Sequence, residues 1–591
     1  MKNYIRFLLF LVLSTIGRTA SHCQELFEVN LNDRSGDTFK VSLHPDHLTG
    51  ADTIFQFAST APGTYQVMDI GRFVGDFKAF DRSGDEIPTH RGSTNQWSIS
   101  HPDRVEKITY TMADIWNAKV ETHPVFLMAG TSISDDFVML NGQAVFGYFP
   151  AHQAEPMRIK LDYPASWKVG TALAKDADGL YEADDFDNAT DSPFFLGKLS
   201  VATTTIGGAK ISVYTYSLHG LIASDSLLAS LKDILKAESD FMHGLPVDRY
   251  AFLFYFGDRS AGAWEHSYSS EYVLHEDTLT SAFAHSLAST VAHEFFHINT
   301  PLHIHSELIE HFNFAKPVMS QHLWLYEGTT EWAAHILQLR DSLITLQEYL
   351  KVIQDKLNAN DAFDQSVSLT RLGVDATEMP DQYPNIYQKG AVVSALLDIR
   401  LLKLSHGSMG LRDLLLQLSH KYGKKRAFSE ENFFDELTAM TYPEIGDFIN
   451  RYIKGTDELP LKEEFGWLGI DYSEEGDIDS TRSSLRIAVR PSRKGIAVAS
   501  VFKSSQSGLM PGDVIEKIGG TPLTFSNIQA LLGKMTSLPA GSVDTITVKR
   551  GEKEVDVASV LLPRLTRHKF VVNPQATPEE LALREAWMRN K

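Results

Sequence analysis

The residues in this chain best able to do chemistry together are His293-Glu294-Phe295-Phe296-His297. Histidines at i and i+4 of a helix lie on one face about one turn apart, so both imidazoles can reach a single metal ion. The glutamate between them can face a water at that ion and accept its proton. Residues 286–299 read as helical, and the chain should leave the helix near Thr300 because Pro301 follows. The same letters would suit a buried amphipathic helix with satisfied histidines, so a third ligand is what separates the two readings.

Catalytic zinc usually takes three protein ligands and leaves a fourth position for water. Downstream lies Leu323-Trp-Leu-Tyr-Glu-Gly-Thr-Thr-Glu-Trp332, an apolar helical stretch with carboxylates at Glu327 and Glu331. The two stand one turn apart, so only one need point inward. Glu327, beside Trp324 and Leu325, is the harder one to leave as a solvated surface glutamate. His303 and His305 form a competing pair beyond the Pro301 break.

These residues resemble the gluzincin metallopeptidases, whose third zinc ligand is a glutamate on a second helix, and within them the glycyl aminopeptidase family. Ala61-Pro-Gly-Thr-Tyr65 followed by Ile70-Gly-Arg-Phe-Val74 looks like that family's N-terminal β-domain, and Trp324-Leu-Tyr-Glu-Gly328 like its third-ligand motif. The connection from His297 to Glu327 is longer than in aminopeptidase N-type relatives, as it is in the glycyl aminopeptidases. Ile298-Asn299 replaces the family's usual Trp-Asn pair, which bears on substrate preference but leaves the metal site alone.

The resemblance implies further roles. Gly262-Ala-Trp-Glu-His266 is similar to the G-x-x-E motif of aminopeptidases, which makes Gly262 and Glu265 substrate-binding and gives Glu265 the free amino group. A carboxylate near the metal would select an ammonium by a charge-assisted hydrogen bond. Tyr387-Gln-Lys-Gly390 resembles the segment whose tyrosine stabilises the oxyanion, with Tyr383 a nearby rival for that role. One zinc ion per chain is implied, held by His293, His297 and Glu327, with Glu294 as general base. The preferred first residue by resemblance is glycine or alanine.

The elements that must position these groups show in the texture of the chain. At 591 residues it is long enough for roughly three to five domains. Residues 23–205 read as a β-rich, antiparallel, sandwich-like domain, with short alternating runs broken by Gly, Asp, Asn and Pro. Residues 206–340 read as strands followed by longer helices, by the same resemblance the thermolysin-like catalytic domain, and 341–463 read as a helical subdomain with apolar residues at three- and four-residue spacing. Residues 464–565 resemble a PDZ domain, chiefly through Ser507-Gly-Leu-Met-Pro-Gly-Asp-Val-Ile515. Residues 566–591 read as a charged tail, helical or frayed. The fold class is therefore multidomain α+β.

The first residues carry Lys2, Arg6 and a short apolar run ending at Leu13, which reads as a signal peptide over 1–22. The one cysteine, Cys23, stands where a lipid anchor would attach, and it rules out disulfides within the chain. The expectation is an exported protein, periplasmic or envelope-associated, with no transmembrane span. A net charge of −20 argues against nucleic-acid partners. The basic cluster 421–426 reads as a solvated loop. Neither a G-x-S-x-G elbow nor a G-x-x-x-x-G-K-[ST] loop is present, so serine-hydrolase and nucleotide chemistry have no support. The sequence thus points to an aminopeptidase acting on peptides, with a peptide C-terminus as a further partner at the PDZ-like part. The alternative is a non-catalytic, peptide-binding envelope protein with a structural zinc, which would want His303 or His305 as a fourth ligand.

Overall fold

A computed structural model describes residues 24–590 except 493, 525 and 526. The expected signal peptide and Cys23 lie outside the described residues.

Alternation builds the N-terminal unit. In Glu25–Asn30, Phe27 and Val29 are fully buried while Glu28 and Asn30 point the other way. This strand belongs to a seven-stranded sheet, and two four-stranded sheets complete the unit. One core that includes Phe55, Phe57, Trp97 and Tyr110 joins them. The antiparallel expectation meets one exception, because Glu25–Asn30 pairs in parallel with Met157–Asp162.

The middle unit starts at a hairpin, Ser200–Ile206 (β1) and Ala209–Ser217 (β2), turning at Gly207-Gly208. Both glycines have positive φ, the conformation such a two-residue turn demands. The hairpin carries β1 into this unit, ahead of the expected boundary at residue 206. Next come Arg249–Gly257 (β3), Gly262–Glu265 (β4) and Ser269–His275 (β5), in the sheet order β1-β2-β3-β5-β4. β2, β3 and β5 run parallel, and β4 is the antiparallel edge. β3 is buried from Tyr250 onward, as a parallel strand covered on both faces requires.

Ser224–Phe241 (α1) turns a stripe of Leu227, Leu231, Ile234 and Leu235 into the core. It packs against Ser281–Phe296 (α2), which in turn meets Thr329–Arg340 (α3). The Thr280 hydroxyl caps α2 by accepting from the Phe283 amide at 3.2 Å. α2 ends at Phe296, earlier than the break expected near Thr300. His297 nevertheless keeps helical angles, φ −59° and ψ −19°, so the spacing of its ring from His293 is that of a helix.

Trp324–Gly328 forms one wide π-helical turn that runs straight into α3. Leu346–Asn360 (α4) and Asn385–Leu404 (α5) follow. Gly328 meets Gly390 of α5 backbone to backbone: a Cβ on Gly328 would lie 2.6 Å from the Gly390 Cα. Glycine at both positions is what lets the two helical segments touch.

The C-terminal unit hangs on a ribbon of Ile470–Ser484 paired with Leu562–Val572. Between them lies a separate sheet with the helix Ile528–Thr536 and its own core around Val498, Ile515, Ile546 and Val548. The Asp513 carboxylate accepts from the Met510 amide at 2.8 Å and from Arg550 at 2.7 Å, which pins the Pro511-Gly512 turn. The tail read as helical or frayed is helical, and it is docked. Pro578–Arg589 (α6) opens with a capping box of Thr577 and Glu580, and Trp587 is fully buried. Arg340 Nε of α3 donates to the Trp587 carbonyl at 3.0 Å. The charged residues made α6 look like a tail, and the apolar pair Leu583 and Trp587 docks it. Among the described residues no helix is long and apolar enough to cross a membrane.

Candidate metal centre

The π-helical turn and α2 bring three expected residues together. His293 Nε2 and His297 Nε2 lie 3.5 and 3.6 Å from Glu327 Oε2, with all three side chains buried. The ring nitrogens on the far side are engaged elsewhere. His293 Nδ1 donates to Glu331 Oε2 at 2.7 Å, and His297 Nδ1 to the Thr300 carbonyl at 2.9 Å. That leaves both Nε2 atoms facing the carboxylate, the arrangement in which the two rings could serve one divalent ion. Two imidazoles and one carboxylate, oriented from behind by a second carboxylate and a carbonyl, fit zinc by donor type and number. A buried His/Glu cluster compatible with a metal site is therefore present.

Glu331, weighed as a rival ligand, turns instead to the back of His293, where it also meets His335 at 3.4 Å and Lys356. Its i+4 spacing from Glu327 was the signal that it shares a face with the ligand. Lys356 comes from α4 and left no sequence signal. His303 Nε2 donates to the Ser419 carbonyl at 3.1 Å, and among the described residues neither His303 nor His305 joins a metal-capable group.

Glu294 and Glu265 also approach the centre, each with a carboxylate oxygen within 4.8 Å of the other's and of a His297 ring nitrogen. Burial pushes Glu294 up to about 7, with the nearby carboxylates adding to the rise and His293 opposing it. Enclosure raises Glu265 well above the carboxylate range, and the charges of Glu327 and Glu294 raise it further. Against the upward push of burial, His297 and His293 hold Glu327 below its ordinary value. The carboxylates thus differ in character, one anionic beside the histidines and two inclined to hold protons.

Both candidate tyrosines are here. Tyr387 Oη lies 2.7 Å from Tyr383 Oη, and its ring centre is 5.8 Å from that of His293. Gly262 adopts φ +121° at the start of β4, which accounts for a glycine at that position. The N-terminal unit adds a wall that sequence reasoning missed as part of the site. Tyr65 Oη donates to Glu327 Oε1 at 3.0 Å, and Trp264 Nε1 donates to the Pro62 carbonyl at 3.2 Å. A Cβ on Gly63 would fall 2.5 Å from Glu265 Oε1. The run Ala61–Tyr65 stood out in the sequence, but nothing in it located the partners.

The Peptidase M61 N-terminal domain matches residues 26–198, and the M61 glycyl aminopeptidase model matches 286–393. The second segment includes His293, Glu294, His297, Glu327 and Tyr387; Glu265 falls outside it. No curated protein matches the chain by sequence. Among solved structures, an aminopeptidase N family protein from Idiomarina loihiensis is 20% identical over 96% of this chain and 100% of that one, with a TM-score of 0.78. Native leukotriene A4 hydrolase from Saccharomyces cerevisiae is 12% identical over 74% of this chain and 68% of that one, at a TM-score of 0.44. The fold is that of the Idiomarina protein, and the chain carries Peptidase M61 family domains that support its reading as a peptidase.

Proposed function

We propose that the protein is a zinc-dependent aminopeptidase that releases small N-terminal residues from peptides. The observation that carries this reading is the pair of Nε2 atoms aimed at Glu327 Oε2 while both opposite ring nitrogens are tied down. When bound there, zinc supplies a Lewis acid that polarises the scissile carbonyl and makes a water more acidic.

The chain's own residues do the rest. Glu294 accepts the proton of the attacking water at its carboxylate and passes it to the departing amine, so one group serves as base and then as acid. Burial favours the protonated form of its carboxyl, which suits it to take a proton from water. Tyr387 donates its hydroxyl to the oxygen that gains charge in the transition state, with Tyr383 Oη fixing its direction at 2.7 Å. Glu265 accepts from the substrate ammonium, and the Gly63 contact holds that carboxylate in place. Glycine or alanine as the first residue rests on family resemblance. The C-terminal unit is read as a PDZ domain that engages a peptide C-terminus, and the chain as exported to the periplasm or envelope.

The test is hydrolysis of glycyl and alanyl fluorogenic amides, free and N-acetylated, by the zinc-loaded mature protein and by Glu294→Gln. The reading expects cleavage of the free-amine forms alone, and loss of activity with zinc retained in the variant. Zinc binding with no cleavage by the unaltered protein would favour the peptide-binding alternative.

A further inference from the structure

A cavity of about 540 Å³ adjoins the candidate centre at Tyr65 and Glu265. From β4 and the turn after it, Trp264, Glu265, His266 and Ser267 line the cavity, while Gly262 and Ala263 do not. The metal-capable residues His293, His297 and Glu327 do not line the cavity, so the space lies against Glu265 and outside that trio, where a chain continued past its amino position would run. A pocket of roughly 300–1,000 Å³ holds a whole small ligand, which is more than one amino-acid side chain fills.

The walls differ in character. Leu302, Ile309, Met319 and Leu323 supply an apolar side, and Asp187 and Asp191 of the N-terminal unit an acidic one. Asp191 already has partners, accepting from the Ser267 amide at 3.0 Å with His266 at 3.6 Å. Asp187 accepts a single side-chain hydrogen bond, from Gln153 Nε2 at 3.0 Å, and among the described residues it has no ion-pair partner. Burial lifts it to about 7, with the charge of Asp185 adding to the rise and Gln153 and His311 opposing it. Lys424, from the basic cluster read as a solvated loop, lines the cavity too, with its ammonium 4.4 Å above the Tyr268 ring.

We propose that this cavity binds the segment of roughly two or three residues that precedes the scissile bond in longer substrates, with the free N-terminal ammonium at Asp187. The site then releases short N-terminal oligopeptides in one step as well as single residues. The chemistry is unchanged: water adds across the peptide bond, its oxygen to the carbonyl carbon and a proton to the leaving amine. Only the register of the chain differs, with Glu265 beside the passing main chain instead of at its end. The proposal rests on the hydrolytic reading above.

The test uses the full zinc-loaded protein. Glycyl, alanyl, lysyl and arginyl amides are compared with unblocked peptides carrying two, three or four residues ahead of a reporter bond, with products identified by mass. Extended peptides should be cut at the reporter bond directly, with kcat/KM about tenfold or more above the single-residue amides. Asp187→Asn should raise their KM by about tenfold, and Ile309→Trp should lower the extended-to-single ratio by about tenfold. Met319→Trp, on another part of the apolar wall, repeats the steric arm should Ile309→Trp fail to fold. A ladder of single-residue products would overturn the proposal and leave the aminopeptidase reading standing. A lysyl or arginyl amide preferred above all others, and lost in Asp187→Asn, would also overturn it by making the cavity a side-chain pocket. No cleavage of any substrate would remove the peptidase reading and this one together.

Discussion

The N-terminal and C-terminal units are both β-rich, yet they meet the middle of the molecule in opposite ways. The N-terminal unit reaches into the candidate centre, through Tyr65 on Glu327, Gly63 on Glu265 and Pro62 on Trp264. The C-terminal unit meets α4 with polar contacts, one from Gln354 Nε2 to the Arg567 carbonyl at 2.7 Å and the others at Asp361. Ser500 Oγ donates to the Asp361 carbonyl at 2.8 Å, and Arg567 and His568 each reach the Asp361 carboxylate at 3.0 Å. One unit is therefore a wall of the candidate site and the other an attached module, although the sequence presents both as similar runs of short strands.

That contrast can be broken by substitution. The scale is set by Glu294→Gln in the centre itself, which should cut kcat about 10²- to 10⁴-fold while zinc content stays at one per chain by elemental analysis. Gly63→Val comes next. Its φ of +71° and its closeness to Glu265 leave no room for a side chain, so kcat/KM on a free-amine substrate should fall about 100-fold. Retention of full activity would show that the loop is a bystander. Tyr65→Phe removes one hydroxyl from behind the Glu327 carboxylate, and zinc affinity measured by chelator competition should drop about 10- to 100-fold. Affinity equal to that of the unaltered protein would detach the N-terminal unit from the metal site. The smallest effect belongs to Ser500→Ala, which should leave turnover of small amides within about twofold and cost about 1 kcal/mol or less in a denaturant melt. A large loss of activity there would make the C-terminal unit part of the machinery and erase the contrast.

What could be read in advance follows the range of the interactions. His293, Glu294 and His297 are local, four positions on one helix, and helical geometry alone places them together. Glu327 needed the knowledge that zinc takes a third ligand, plus the apolar company of Trp324 and Leu325 to prefer it over Glu331. The distinct use of Glu331, on the back of His293, depends on a π-helical turn that residue types do not announce. Tyr65 lies 262 positions from Glu327, and no periodicity spans such a distance. β1 pairs with β2 across Gly207-Gly208, and such hairpin pairing is decided by the partner strand rather than by local pattern. The docking of α6 turned on two apolar residues among many charges.

The contact between Gly328 and Gly390 carries a consequence for how this centre tolerates change. The ligand-bearing turn and the tyrosine-bearing helix are separated by the thickness of two bare main chains, without side chains between them that could adopt other rotamers. The spacing between the proposed metal position and the proposed oxyanion donor is thus a property of the scaffold. Altered substrate preference can be reached through the loops and walls around it, whereas that spacing admits no gradual adjustment. Any side chain added at either glycine would wedge the two segments apart in one step.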